Sequence, residues 1–288
     1  MSDSKTSAER YIETRDARAV AAEEDRAVLF ERLWAPIGAH VIELAGVSSG
    51  DTVVDIASGH GEPALLAARV VGPEGRVVGT DFDPVILEVA RHRAADAGLT
   101  WAEFETHDAK NLEFPKGTFD VAISRLGLMF VDDIPKALKS IHRVLKPGGR
   151  FSVAVCGTEE NNLSWCLVRD AVMQELGIEE PPAHELLDTS AFSLGDFDLL
   201  TRLLTDAGFT DVQVESDDGY VWPFESAEEI VEWHKFFLEA SGLFDGQSAD
   251  RKQAARDAAV ARAREVADPD GGVRLTNQVM YAVGTRPE

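Results

Sequence analysis

The sequence predicts an α/β fold of the doubly wound type, in which helices cover both faces of a parallel sheet. Two observations lead to this prediction. From residue 51 onward, short β-branched runs alternate with helical segments, and these runs are apolar throughout instead of alternating with polar residues. Turn-forming segments also end helices where strands should begin, at Gly-Pro-Glu-Gly (72–75) and Lys-Pro-Gly-Gly (146–149).

Each element follows from its own local pattern. Residues 17–44 are predicted to form two helices separated by Pro36, because proline interrupts helical hydrogen bonding. The alternating region predicts strands at 52–56, 76–81, 104–107, 119–124 and 150–155, with helices at 63–71, 84–97 and 134–145. Beyond residue 156 the pattern loosens, and it predicts helices at 165–176, 197–207, 226–241 and 248–267 and strands at 212–215 and 278–285.

These elements suggest three regions of the chain. We expect an N-terminal helical cap at 1–45, a ligand-binding core at 46–157, and the rest of the sheet at 158–288. Two helical stretches, 158–195 and 216–272, interrupt the last region. Because open α/β sheets bind ligands at the carboxyl ends of their strands, we expect these insertions to form a helical cover over a substrate.

The charge of the chain argues against nucleic acid as a partner. It has 28 Lys and Arg residues against 51 Asp and Glu residues, which gives a formal net charge of −23. Nucleic-acid binding depends on basic side chains that neutralise phosphates, and no basic cluster stands out. Such an acidic excess would instead suit a salt-rich cytoplasm, where ions screen the self-repulsion.

The remaining composition predicts a cytoplasmic protein. The two cysteines, Cys156 and Cys166, form no CxxC pair and belong to no cluster with zinc-ligand spacing, so no metal site is expected. The first residues are too polar for a signal peptide, and no apolar run approaches the roughly 18 residues that a membrane span requires.

The most informative motif is the loop Asp-Ile-Ala-Ser-Gly-His-Gly at 55–61. It follows an apolar strand and precedes a helix that has Pro63 in its first turn. Gly59 and Gly61 let the backbone approach a ligand, and the helix N-terminus offers N–H donors to a polar or anionic group. The loop alone could be an ordinary tight turn. Asp81, at the end of the next strand, could accept hydrogen bonds from both ribose hydroxyls, whereas Asp83 fits a helix cap better, so a nucleotide-like ligand is predicted.

Five segments in the right order resemble class I S-adenosylmethionine (SAM)-dependent methyltransferases, in particular the group with the ubiquinone/menaquinone-biosynthesis and many natural-product enzymes. The segments are 55–61, 79–81, 107–109, 117–121 and 143–149. The resemblance implies a Rossmann-like, seven-stranded sheet with an antiparallel last strand, near 279–285. It also implies methyl transfer from SAM to an O, N or C atom of a small molecule, with S-adenosylhomocysteine (SAH) as product.

The resemblance also implies which loop residues hold the cofactor. Gly59 and Gly61 would pass under the methionine part of SAM, with Asp55 near its ammonium group and Ser58 in the same loop. One departure is Ala57, which stands where the commonest version of the loop has glycine. The loop also lacks the G-x-G-x-x-G spacing of NAD enzymes.

Residues at the ends of the next strands complete the implied cofactor site. Asp81 would hold the ribose and Phe82 would flank the adenine. Asp108 and the backbone N–H of Ala109 would read the adenine edge.

The sequence is less specific about the residues near the transferred methyl group. By resemblance, Ser124 and Arg125 would lie near the methionine and the methyl group. Methyl transfer needs mainly an aligned acceptor, and an O-methyltransferase would add a general base. His60 and His234 are the candidate catalytic residues, and a packing or solvated role is the alternative for each.

Aromatic residues near the N-terminus and in the second insertion suggest an apolar acceptor. Most of them have helical spacing and are expected in the core, but Tyr11, Trp34, Trp222 and Trp233 could line a pocket for a ring-containing or lipid-like molecule. We expect a monomer or homodimer. The alternatives are a SAM-binding enzyme of the same fold that catalyses a cyclisation or decarboxylation, and a non-catalytic SAM-binding protein.

Overall fold

The computed structural model describes residues 17–179 and 191–288, apart from the side chains of 17–22, Phe236, Glu239 and Ala240. Tyr11, one of the predicted pocket residues, lies outside these ranges. The chain divides into two compact units. The first contains Met1–Val155, Asp196–Glu215 and Met280–Glu288, and the second contains Cys156–Gly195 and Ser216–Val279.

Seven strands form one mixed sheet, which confirms the predicted fold class. The strands are β1 (Thr52–Ile56), β2 (Arg76–Asp81), β3 (Ala102–Thr106), β4 (Phe119–Arg125), β5 (Leu145–Cys156), β6 (Thr210–Phe224) and β7 (Val273–Thr285). Their order across the sheet is β3-β2-β1-β4-β5-β7-β6. Strands β1 to β5 pair in parallel. Strand β7 runs antiparallel to β5, since Gly148 donates to Arg286 O and Gly157 donates to Gln278 O.

Eight α-helices lie within the described ranges. They are α1 (Ala17–Ala45), α2 (Glu62–Val71), α3 (Pro84–Asp96), α4 (Ile134–Val144), α5 (Leu163–Leu176), α6 (Phe197–Asp206), α7 (Ala227–Ala240) and α8 (Ala249–Glu265). As expected, Asp83 and not Asp81 caps α3, because its side chain accepts from the Val85 N–H at 2.8 Å.

Three predicted boundaries are wrong, each for a physical reason. Helix α1 continues through Pro36, because a stripe that includes the fully buried Leu33 and Ile37 compensates for one lost hydrogen bond. Strand β6 is far longer than predicted, since an edge strand can pair through its backbone even where its side chains are polar. The segment 146–149 does not precede β5 but bulges within it, where Phe119 pairs with Leu145 and Val121 with Arg150.

The strand order creates a switch point at β1. This strand lies between β2 and β4, and Asp55 is in register with Gly79 on one side and Ile123 on the other. Chain connections leave in opposite directions from such a point and open a crevice at the carboxyl ends of the strands. The loop 55–61 and the ends of β2 and β4 therefore meet at one edge of the sheet.

Candidate cofactor site at the strand ends

Asp55 is a buried carboxylate in need of a partner. It lies near the end of β1 with no exposed surface, and neither oxygen makes a well-formed hydrogen bond within the described residues. Burial raises the pKa of Asp55 well above its usual value, although the Arg125 guanidinium and the backbone N–H of Ala64 partly oppose this rise. An uncompensated buried polar group is costly, so this position favours a ligand that brings a positive charge or a donor.

The glycine loop is shaped by two different requirements. Both Gly59 and Gly61 adopt positive φ, 52° and 81°. A Cβ atom on Gly59 would meet nothing within 4 Å, so the backbone there borders open space. A Cβ atom on Gly61 would lie 2.8 Å from Ala90 Cβ and 2.9 Å from the Phe104 ring, so packing also requires glycine there.

Ala57 adopts a backbone conformation that favours glycine. It adopts a φ of 55°, one of only three positive values among the described non-glycine residues. This conformation costs a residue with a Cβ atom roughly 1–2 kcal/mol. Ser58 continues the loop, with its N–H donating to Thr80 O at 2.8 Å and its side-chain hydroxyl buried without a partner within the described residues.

Asp81 ties the end of β2 to the glycine loop. Its Oδ2 accepts from the Gly59 N–H at 3.0 Å, and its Oδ1 accepts from the Asp83 N–H at 3.1 Å. Burial raises the pKa of Asp81 to about 6, although these backbone donors oppose the rise. The next residue, Phe82, exposes 44% of its surface and is available to flank a planar group.

Asp108 and Ala109 follow the neighbouring strand. β3 pairs with β2 so that Asp81 is opposite Thr106, which brings the 108–109 turn to the same edge of the sheet. Within this turn the Asp108 side chain is about half exposed and accepts from the Lys110 N–H at 2.9 Å. The carboxylate retains acceptor capacity for a ligand.

A buried ion pair closes the opposite side of the loop. Arg125 Nη1, at the end of β4, lies 2.9 Å from Glu62 Oε2, and both side chains are more than 90% buried. The Arg125 guanidinium also lies 5.2 Å from the centre of the Trp34 ring. Burial raises the pKa of Glu62, which Arg125 opposes. Glu62 is not among the residues predicted from the sequence, although an acidic residue in the first turn of a helix indicates a position near the helix N-terminus and its ligands.

Comparison with known proteins shows the family of the chain. The model of the ubiE/COQ5 methyltransferase family matches residues 28–224. The chain belongs to this family. A ubiquinone/menaquinone biosynthesis C-methyltransferase from Teredinibacter turnerae is 36% identical over 185 residues, which cover 62% of this chain and 73% of the relative.

Solved structures share the fold of this ubiE/COQ5 family member. YcgJ from Bacillus subtilis has a TM-score of 0.57 at 19% identity, and the match covers 87% of this chain and 98% of YcgJ. A protein solved in complex with the Trm112 methyltransferase activator of Haloferax volcanii has a TM-score of 0.55 at 24% identity. That match covers 95% of this chain and 99% of the other.

The family member is therefore a SAM-dependent methyltransferase with a small-molecule substrate. Its site fits the cofactor on structural grounds. SAM carries a sulfonium and an ammonium group, and the unsatisfied Asp55 carboxylate borders a loop that opens to space at Gly59. Two predicted contacts have other partners in the structure: Ser124 Oγ donates to Ile56 O at 2.9 Å, and Arg125 pairs with Glu62.

The two histidines proposed from the sequence have different surroundings. His60 lies in the glycine loop, and its Nε2 is 2.7 Å from Glu23 Oε2 of α1. His234 lies in α7, fully enclosed, with Nδ1 and Nε2 each 3.1 Å from a carbonyl oxygen, those of Ile230 and Trp165. Burial lowers the pKa of His234 to about 3, although the two carbonyl oxygens oppose this shift.

Trp222 and Trp233 lie in the interior of the second unit. They are 0% and 1% exposed, and their ring centres are 4.9 Å apart. Trp165 and His234 contact Trp233 edge-on. Such pairs contribute packing energy, so the structure gives these tryptophans a core environment.

The described residues contain neither a metal-binding cluster nor a membrane-spanning helix. No group of three His, Cys, Asp or Glu side chains within 17–179 and 191–288 could hold a metal ion. In the same part of the chain, no helix is long and apolar enough to cross a membrane.

Proposed function

We propose that this methyltransferase acts on an apolar, ring-containing small molecule and holds SAM at the loop 55–61. The unsatisfied Asp55 carboxylate beside the open backbone at Gly59 carries this proposal. Asp55 would pair with the ammonium group, because a desolvated charge requires an opposite charge. Ser58 and Gly61 would complete the surface under the methionine part.

Three strand ends would hold the rest of the cofactor. Asp81 would accept from the ribose hydroxyls, and its two backbone hydrogen bonds fix the carboxylate for that purpose. The exposed Phe82 ring would flank the adenine, with Asp108 and the Ala109 N–H at its polar edge.

SAM supplies an electrophilic methyl group on a sulfonium. The chain's own task is to align the acceptor and to remove a proton from it, since alignment alone can provide about 7–11 kcal/mol of the barrier. His60 is the better candidate for the proton-accepting group, because Glu23 occupies only one of its ring nitrogens. Both nitrogens of His234 face carbonyl oxygens, which favours a packing role.

The acceptor is proposed at the level of its chemistry. The relative from Teredinibacter turnerae is named a C-methyltransferase of quinone biosynthesis, which favours an electron-rich ring carbon. In the first unit, the buried Trp34 ring contacts Phe30 with ring centres 4.3 Å apart and a tilt of 40°, and it lies 5.2 Å from the Arg125 guanidinium. We place the ring of the acceptor, with its polar substituent, next to this group. The family match ends at residue 224, before α7 and α8, so the relatives do not define the acceptor further.

The cellular setting is part of the same proposal. Cys156 and Cys166 are both free thiols. Free cysteines are typical of reducing compartments, which supports a cytoplasmic location.

Calorimetry with SAM and SAH, followed by transfer of a radiolabelled methyl group into a metabolite extract, tests the proposal. Asp55→Asn keeps the shape and removes the charge, so it should weaken SAM binding by about 1–3 kcal/mol, roughly 5- to 150-fold. Binding of neither SAM nor SAH would refute the cofactor assignment. Binding without any label transfer would favour the alternative of a cyclisation or decarboxylation enzyme.

A further inference from the structure

A buried carboxylate–histidine pair joins α1 to the cofactor loop. His60 lies between Gly59 and Gly61, and its Nε2 is 2.7 Å from Glu23 Oε2. The side chains of Glu23 and His60 are only 4% and 9% exposed. The other oxygen of Glu23 has a charged partner, because Arg26 Nη1 lies 2.5 Å from Glu23 Oε1.

The rest of the surroundings fix the histidine on two sides. From α3, Arg93 donates to the carbonyl oxygen of His60 at 2.9 Å, and Arg93 also pairs with Glu31 of α1. The Phe30 ring contacts the imidazole edge-on, with centres 5.5 Å apart. Backbone and ring are thus held by different elements, and the imidazole has one defined orientation.

The tautomer of His60 follows from the partners of its two ring nitrogens. Carboxylates only accept hydrogen bonds, so the contact with Glu23 requires the proton on Nε2. Nδ1 has no hydrogen-bond partner within the described residues. A neutral imidazole with Nε2–H has its lone pair on Nδ1, and burial favours this neutral form because it lowers the pKa of His60.

We infer that Glu23 is a positioning residue: it fixes His60 as the Nε2–H tautomer, so that Nδ1 takes the proton that the acceptor loses. Helix α1 thereby completes the catalytic machinery of the glycine loop. This inference rests on the proposed function.

The proton and electron pairs balance in this arrangement. As the acceptor atom forms its bond to the methyl carbon, the carbon–sulfur bond breaks and its electron pair stays on sulfur. The acceptor's proton passes to His60 Nδ1. The resulting imidazolium is stabilised by the Glu23 carboxylate, and Arg26 and Arg93 partly oppose that stabilisation.

Nitrogen-detected NMR of the histidine rings tests the tautomer without any acceptor. His60→Asn assigns the signal by its loss. In the wild-type protein His60 should be Nε2–H at neutral pH, and Glu23→Gln should mix the tautomers, because an amide can donate as well as accept. The matched control Glu24→Gln, one residue further along α1 and about half exposed, should leave the His60 signal unchanged. A wild-type His60 with its proton on Nδ1 would overturn the inference.

Kinetics with the acceptor found by label transfer provide the second readout. Glu23→Gln should lower kcat roughly tenfold to hundredfold, within the usual contribution of a general base. It should leave SAM affinity unchanged in calorimetry and move the acid limb of the pH–kcat profile to lower pH, because the lost carboxylate no longer raises the His60 pKa. Glu23→Asp should recover part of the loss.

The outcomes separate the two proposals. If the wild-type protein does not bind SAM, only the proposed function fails, because the NMR measurement of the His60 tautomer does not depend on SAM. Suppose instead that the wild-type protein binds SAM and transfers the methyl group. An unshifted pH–kcat profile in Glu23→Gln, or full activity in His60→Asn, would then show that the pair is only structural.

Discussion

Replacing Asp81 by Asn should make the cofactor-free protein more stable and the SAM complex weaker. Burial raises the pKa of Asp81 from 3.8 to about 6, so the folded state holds this proton more tightly than the unfolded state does. At about 1.4 kcal/mol per pH unit, ionisation of Asp81 costs about 3 kcal/mol of folding free energy at pH 8. The cost begins near pH 4 and is complete above pH 6.

The substitution removes this cost but also loses one hydrogen bond. Asp81 accepts from the N–H groups of Gly59 and Asp83 through separate oxygens, and an amide has only one oxygen. The lost bond costs about 1 kcal/mol, so Asp81→Asn should be about 2 kcal/mol more stable at pH 8. SAM binding should weaken by about 1–3 kcal/mol, because the ribose hydroxyls lose a charged acceptor.

Urea unfolding followed by circular dichroism, from pH 5 to pH 8, measures the first effect, and calorimetry measures the second. The advantage of the variant should shrink substantially at pH 5, where wild-type Asp81 is mostly protonated. Asp96→Asn, at the exposed end of α3, is the matched control and should change neither quantity. A variant that is less stable at pH 8 than the wild type, or that binds SAM equally well, would refute the reasoning.

Three further predictions follow from packing and charge. Gly61→Ala should destabilise the protein by several kcal/mol in urea unfolding, because the added Cβ would clash with neighbouring side chains. The control Gly98→Ala has open space and should cost only about 1–2 kcal/mol, for its positive φ. Equal losses of stability in the two variants would contradict this. Arg125→Met should lower the free energy of unfolding by about 3–5 kcal/mol, because it leaves Glu62 buried and unpaired. Adding Glu62→Gln should restore most of this stability. A double variant whose loss of stability equals the sum of the two single losses would argue against the ion pair. With a net charge of −23, the melting temperature should rise with KCl concentration, and a flat series would exclude adaptation to high salt.

Much of the candidate cofactor site could be proposed from the sequence because its residues lie close together along the chain. Asp55, Gly59 and Gly61 lie in one loop, and their residue types are dictated by backbone geometry and by charge. Asp81 follows from the same logic one strand later. The prediction that Asp83 caps α3 was confirmed for the same reason, since an N-cap depends on residues within one turn.

Pairs from distant parts of the chain could not be predicted. Glu23 and His60 are 37 residues apart, and neither has a local pattern that points to the other. Glu62 and Arg125 likewise meet only because β1 and β4 are neighbours in the sheet. The sequence does not distinguish His234 from His60 as a candidate, whereas the carbonyl oxygens around His234 in the fold do.

The sequence by itself determined the alternation of strands and helices, the glycine loop and the acids that follow it, because propensity, turn chemistry and hydrophobic pattern act over a few residues. Tertiary structure decided that Pro36 does not break α1, since burial of its apolar stripe compensates for one missing hydrogen bond. It also decided which charges lose water and which meet partners. Desolvation depends on the whole fold, so the raised pKa of Asp81 and the contact between Glu23 and His60 exist only in the folded chain.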